Sequence, residues 1–114
     1  MKIKLKRAYE KPDPNDGVRI LVDRLWPRGL TKAKAAIDVW IKEIAPSTEL
    51  RKWFAHDPKK WKGFRERYHK EIKHHPDEVE LIRSKAREET VTLIYGARDQ
   101  EHNEAVVLKE LLEG

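Results

Sequence analysis

The stretch VRILVDRL at residues 18–25 decides the fold of this chain. Its aliphatic residues are nearly continuous and mostly β-branched, which is typical of a strand that the protein covers on both faces. The strand must end before Trp26-Pro27-Arg28-Gly29, because Pro27 has no backbone N–H for a sheet and Gly29 suits a turn. We therefore predict a central strand from Val18 to Leu25.

Other segments carry weaker strand patterns. Lys2–Ala8 alternates lysines with Ile3 and Leu5, and this period of two residues predicts a half-buried edge strand. Thr90–Tyr95 is a second buried, β-rich run. Residues 32–43 begin with helix formers and then alternate apolar with polar residues, which predicts a short helical turn followed by a short strand.

Capping residues and apolar spacings predict helices between and after these strands. The predicted helices run from Ser47 to Phe54, from Asp57-Pro58 to about His74, from Pro76 onward, and from His102 or Asn103 onward. Strands that alternate with helices favour parallel pairing. The predicted fold class is α/β, with a small three- or four-stranded, at least partly parallel sheet and helices packed on it.

Length and composition predict a single domain over residues 1–114. Four Trp, three Tyr and two Phe supply enough large apolar side chains for a compact core. The absence of cysteine excludes disulfides and thiolate metal sites. The first residues alternate charge with aliphatics, unlike a signal peptide or membrane helix, so we expect a cytoplasmic protein without membrane association.

The charge balance leaves two kinds of partner open. Lys and Arg outnumber Asp and Glu by 25 to 20, which gives a net charge of +5 and fits a small anion or a nucleic acid. The basic residues are interleaved with glutamates along the helices, as on an ordinary salt-bridged surface.

Charged residues concentrate where the two most buried strands end. Asp23, Arg24 and Arg28 follow the central strand, and Arg98, Asp99, His102 and Asn103 follow the last strand. Ligands in open α/β sheets gather at the carboxyl ends of strands. If the two strands are parallel and adjacent, these side chains share one rim.

The residue types at this rim suggest an anion site. Arg24, Arg28 or Arg98 can hold a phosphate or carboxylate bidentately, and Lys32 would lie at the edge. Asp99 could act as a general base, or His102 as an acid or base near neutral pH. Trp26 lies in the same turn and is a candidate for lining a pocket, whereas the other tryptophans are expected in the core.

A structural alternative stays open for the same residues. Arg24 could pair with Asp99, or Asp23 with Arg98, while Asn103 only caps a helix. His69, His74 and His75 are not spaced four apart, as two ligands on one helix face would be, so no metal site is expected. No phosphate-loop, dinucleotide-binding or nucleophile motif is present, and no cofactor is predicted.

Several strings resemble one family along nearly the whole chain. Asp16-Gly17, Val22–Gly29, Ala45-Pro46-Ser47, Trp53-Phe54 with His56-Asp57-Pro58, Val91–Tyr95 and His102-Asn103 are similar to the YeaO-like family of uncharacterised prokaryotic proteins. The resemblance implies a compact α/β domain and supplies no catalytic residues. Gly96-Ala97-Arg98 departs from the Ala-Ala-Lys expected of relatives here, although a positive charge remains.

The leading hypothesis is a pocket for a small anion, which would make the protein a binding protein or a metal-independent enzyme. The alternative hypothesis is a basic nucleic-acid-binding module that uses the helix around Lys59–Lys73. Oligomeric state does not follow from the sequence.

Overall fold

The computed structural model describes residues 2–114, which form an α/β domain around one four-stranded sheet. Short 3-10 turns lie at Pro14–Asp16, Lys42–Ile44 and Pro58–Lys60. The strands are β1 (Ile3–Arg7), β2 (Val18–Leu21), β3 (Val39–Trp40) and β4 (Val91–Tyr95). The helices are α1 (Lys32–Ala35), α2 (Thr48–Phe54), α3 (Trp61–Ile72), α4 (Pro76–Glu88) and α5 (Glu104–Glu113).

The strands are ordered β1-β4-β2-β3, and every pair is parallel. This confirms the predicted fold class. β2 lies beside β4, with Val18 opposite Val91 and Leu21 opposite Ile94. The condition for a shared rim is therefore met, because both strands end at the same edge of the sheet.

The two faces of the sheet are covered differently. Ile20, Val22 and Leu93 point into the main core, which α2, α3, α4 and α5 cover. Leu21 and Ile94 point to the other face, where a small cluster with Trp26 and Trp40 covers them. The main core therefore lies on the side of the long helices.

The central strand is shorter than the predicted Val18–Leu25. The ladder still holds Val22, whose N–H donates to the Ile94 carbonyl at 3.1 Å. Beyond it the Asp23 carboxylate accepts from the Gly96 N–H at 2.8 Å, so a side chain takes the donor that would have continued the sheet. Residues 23–25 consequently belong to the loop that shapes the site.

The capping residues predicted the start of α2 but not that of α3. The Ser47 hydroxyl accepts from the Leu50 N–H at 3.1 Å, which confirms the predicted cap of α2. Asp57 caps only the 3-10 turn Pro58–Lys60, and α3 begins after it, so the helix predicted from Asp57 starts later.

None of the helices within residues 2–114 is both long enough and apolar enough to cross a membrane.

Candidate functional site

A cavity of about 260 Å³ opens where β2 and β4 end. It lies between the loops after β2 and β4, the helix α2 and the start of α5. Asp23, Arg24, Gly96, His102 and Glu104 contribute polar groups. The remaining lining residues are Leu25, Ala45, Pro46, Arg51, Phe54, His56, Phe64, Ala97 and Asn103.

Arg24 is held by one end of its guanidinium. Its Nη2 donates to the Ala45 carbonyl at 3.1 Å and to the Pro46 carbonyl at 3.4 Å. Its Nε is buried, and no acceptor within residues 2–114 lies in hydrogen-bond range of it. The guanidinium is thus fixed in place while part of its hydrogen-bonding capacity is unused.

Two carboxyl groups face the same cavity. Asp23 accepts from the Gly96 N–H, and Glu104, the first residue of α5, is half-buried nearby. Burial raises the pKa of Glu104 well above its ordinary value, and the charge of Asp23 and a hydrogen bond with it raise that pKa further. Arg51 opposes this effect only in part, so Glu104 keeps its proton to a higher pH than an ordinary surface acid does.

Asp99 and His102 form a pair beside the cavity. His102 Nδ1 lies 2.8 Å from Asp99 Oδ2, and Asp99 Oδ1 accepts from the N–H groups of Glu101 and His102. The Glu101 N–H and the His102 side chain lower the pKa of Asp99. Trp61 meets the His102 ring edge-on with centroids 5.2 Å apart. His102 therefore has a defined orientation at the cavity wall, whereas Asp99 only supports it.

Four of the predicted site residues lie at the cavity, namely Asp23, Arg24, His102 and Asn103. Asn103 is also the predicted cap, since its Oδ1 accepts from the Val106 N–H at 3.1 Å. The predicted catalytic roles of Asp99 and His102 stay predictions.

The other predicted residues do not line this cavity. Trp26 packs on the opposite face, edge-on to Trp40, and its Nε1 donates to the Leu30 carbonyl at 2.8 Å. Arg28, Lys32 and Arg98 are exposed outside the cavity. Trp26 and Leu30 flank the turn at Pro27–Gly29 and pack on the other face of the sheet, so proximity in sequence to Arg24 does not bring these side chains together.

The structural alternative of ion pairs across the rim does not occur. Neither Arg24 with Asp99 nor Asp23 with Arg98 forms a salt bridge within the described chain. Arg24 binds backbone carbonyls instead, and Asp23 binds a backbone N–H. The rim is therefore not sealed by ion pairs.

Sequence reasoning missed three groups at the cavity. Glu104 follows the Asn103 cap directly, so an acid in the first turn of α5 was a usable signal. Arg51 reads as an ordinary exposed residue of α2. His56 reaches the cavity because Ala55 and His56 both adopt positive φ values, 47° and 56°, and no local sequence pattern predicted that turn.

The lining combines opposite charges with apolar surface. Arg24 and Arg51 are cationic, Asp23 and Glu104 are acidic, and the stacked rings of Phe54 and Phe64 lie 4.4 Å apart. The arrangement can fix a charged group by hydrogen bonds while covering an apolar portion of a ligand.

The sequence of the whole described chain matches a known family. The family described as "DUF488-N3i: Inactive DUF488-N3 subclade" matches residues 2–114. The chain belongs to this family. The DUF488-N3i match and the relatives below confirm the resemblance noted from the sequence.

The chain aligns with similar proteins over nearly their full length. Uncharacterized protein YeaO of Escherichia coli (strain K12) is 45% identical over 112 residues, which span 98% of this chain and 97% of that protein. Uncharacterized protein Rv3073c of Mycobacterium tuberculosis (strain ATCC 25618 / H37Rv) is 37% identical over 113 residues, spanning 99% and 95%. No solved structure matches the chain.

Proposed function

We propose that the cavity at the ends of β2 and β4 binds a small anionic metabolite through Arg24. The observation that carries this proposal is the state of the guanidinium, which two carbonyls hold by Nη2 while the buried Nε has no acceptor within residues 2–114. A carboxylate or phosphate oxygen would use the remaining donors in a charge-assisted hydrogen bond.

The size of the cavity favours a small ligand over a polymer. Pockets for drug-sized ligands span roughly 300–1,000 Å³. At about 260 Å³, this cavity suits a metabolite smaller than a typical drug. Nucleic acid, in contrast, is bound along extended basic grooves. The nucleic-acid hypothesis therefore rests on the basic residues of α3 and not on the cavity.

Binding without turnover is the role we favour. The family description calls the subclade inactive, which argues against an enzyme. The lining residues also include no Ser, Thr, Cys or Lys that could attack a substrate. If the protein is a metal-independent enzyme, activation of a bound water by the Asp99–His102 pair is the reaction type that this pair fits.

Isothermal titration with inorganic phosphate and with acetate tests the proposal. Chloride at matched ionic strength controls for salt effects. We expect saturable binding to the wild-type chain and at least a tenfold loss in Arg24→Ala. Arg28→Ala is the matched control, because it removes the same charge from the same loop outside the cavity. Equal losses in both variants, or no saturable binding at all, would overturn the proposal.

An oligonucleotide titration separates the competing hypothesis. Contacts to a nucleic-acid backbone release counterions, so affinity falls steeply as salt rises. If an oligonucleotide binds with a steep salt slope and Arg24→Ala does not change it, the basic surface of α3 and not the cavity carries function.

A further inference from the structure

The cavity contains acids that an anion site does not need. Asp23 and Glu104 face the same space as Arg24 and Arg51. Asp23 is fixed by the Gly96 N–H, and Gly96 leaves little spare room, because a Cβ there would lie 3.0 Å from Asp23 Oδ2. Asp23 is therefore held in the lining by a backbone hydrogen bond, and Glu104 lines the same space from the first turn of α5.

An acid beside the ligand disfavours a purely anionic guest. Like charges repel, and the repulsion is stronger in a partly buried site than in water. A ligand that carries a positive group toward the acids would instead gain an attraction, and its negative group would still meet the guanidinium. Charge complementarity therefore favours a ligand that carries both a positive and a negative group over a purely anionic ligand.

The apolar lining indicates what joins the two charged groups. Phe54 and Phe64 stack at the wall, and Pro46, Ala45 and the 65% exposed Leu25 continue the apolar surface toward the opening. Such surface favours a small aliphatic or aromatic portion. A cavity of about 260 Å³ holds a group of that size together with two charged ends.

We propose that the ligand is a small zwitterion of the α-amino-acid type, with its carboxylate at Arg24 and Arg51 and its ammonium at Asp23 and Glu104. This inference rests on the proposed anion-binding function and names the ligand class of the same cavity. Asp23 and Glu104 act as the positioning residues for the ammonium, and Phe54 and Phe64 cover the side chain.

Binding of an ammonium group changes the protonation of the acid pair. The raised pKa of Glu104 falls again when a cation lies beside it, so binding of the ammonium group releases the proton that Glu104 holds in the free protein. The other charged or titratable groups around Glu104 are Asp23 and Arg24 after β2, Arg51 and His56 at α2, Tyr68 on α3, and His102 before α5. Titration in two buffers of different ionisation enthalpy measures the number of protons released.

Matched pairs of ligands test the zwitterion. Alanine, leucine and phenylalanine are compared with propanoate, 4-methylpentanoate and 3-phenylpropanoate, which lack only the ammonium group. We expect at least one amino acid to bind tenfold more tightly than its partner. Glu104→Gln should reduce that ratio to below threefold, and Asp23→Asn should act in the same direction. Glu110→Gln, which removes an exposed acid from the same helix, should leave the ratio unchanged.

The outcomes separate this inference from the function on which it rests. If the carboxylates bind as tightly as the amino acids and Arg24→Ala abolishes both, the anion site stands and the zwitterion is wrong. If no ligand of either series binds and phosphate does not bind, both proposals fail. If Glu104→Gln leaves the tenfold ratio intact while urea unfolding shows that the variant is folded, the acids do not recognise the ammonium.

Discussion

Two clusters of Asp and Arg side chains in this small protein differ in how fully their hydrogen-bond donors have partners. The closed cluster consists of Lys6, Asp16 and Arg19 beneath α1. Asp16 and Arg19 are each only 4% exposed, and Arg19 Nη1 lies 2.6 Å from Asp16 Oδ2. Arg19 Nε donates to the Ala36 carbonyl and Nη2 to the Ala35 carbonyl, while Lys6 binds Asp16 at 3.1 Å.

The cavity cluster consists of Asp23, Arg24 and Glu104 at the ends of β2 and β4. Here the guanidinium bonds through Nη2 alone, Nε has no acceptor within residues 2–114, and two acids lie together beside an open space. The same residue types therefore have two different roles. Where every donor has a partner and no space remains, the charges stabilise the fold; where donors and space remain, they are available to a ligand.

The largest expected effect is a difference in the free energy of unfolding between variants of Arg19 and of Arg24. Arg19→Met should lower the free energy of unfolding by about 3–5 kcal/mol, because it leaves Asp16 buried without its closest partner. Arg24→Met should lower it by only about 1 kcal/mol, the typical worth of a hydrogen bond. Urea unfolding measures both. Equal losses would mean that the cavity cluster is as structural as the closed cluster.

Glycines beside the two clusters give the next comparison. Gly17 follows Asp16 with φ of 66°, and a Cβ there would lie 2.1 Å from the Thr90 carbonyl oxygen. Gly17→Ala should therefore destabilise the fold by at least about 2 kcal/mol, since the backbone itself must move. Gly96→Ala meets only Asp23 Oδ2 at 3.0 Å and should change stability by less than about 1 kcal/mol.

Ligand binding should rank the two glycine variants in the reverse order. Gly96→Ala displaces the Asp23 carboxylate and should weaken binding of the amino acid that the wild-type chain holds, as titration calorimetry can measure. Folded Gly17→Ala protein should bind as the wild type does. A stable Gly96→Ala protein with unchanged affinity would show that the position of Asp23 does not matter to the ligand.

The smallest expected effect is a pH dependence of opposite sign in the two clusters. Burial alone would raise the pKa of Asp16, but the Asp13 backbone, Lys6 and Arg19 together lower it below its ordinary 3.8. Its stabilising contribution is present above that value and is lost as the pH falls through the lowered pKa. Asp16→Asn should therefore be more destabilising at pH 7 than at pH 2.5.

The contribution of Glu104 to the free energy of unfolding depends on pH in the opposite direction. Its raised pKa means that its contribution is complete below the ordinary 4.5 and is lost as the pH rises through the folded-state value. Glu104→Gln, which imitates the protonated acid, should match the wild type near pH 4 and be more stable than it at pH 8. Urea unfolding at the two pH values checks this, and a less stable variant at pH 8 would contradict the raised pKa of Glu104.

The order of elements followed closely from local patterns. The caps at Ser47 and Asn103 were predicted because a side-chain oxygen that accepts from the first turn is a local interaction. The short helix and strand within residues 32–43 were likewise readable from residue type and spacing. Arg19 was not recognised, because a lone charge in an aliphatic run looks like a strand residue facing solvent, and only α1 buries it.

The sequence by itself determined the order of strands and helices, the caps at Ser47 and Asn103 and the placement of charge just after β2 and β4, since all of these depend on neighbours a few residues apart. Only the tertiary structure decided that β2 and β4 are adjacent, that Arg24 enters the cavity while Trp26 and Arg28 do not, and that Arg51, His56 and Glu104 join it. The physical reason is that side-chain burial and charge pairing are set by the packing of helices on the sheet, which joins residues distant in sequence.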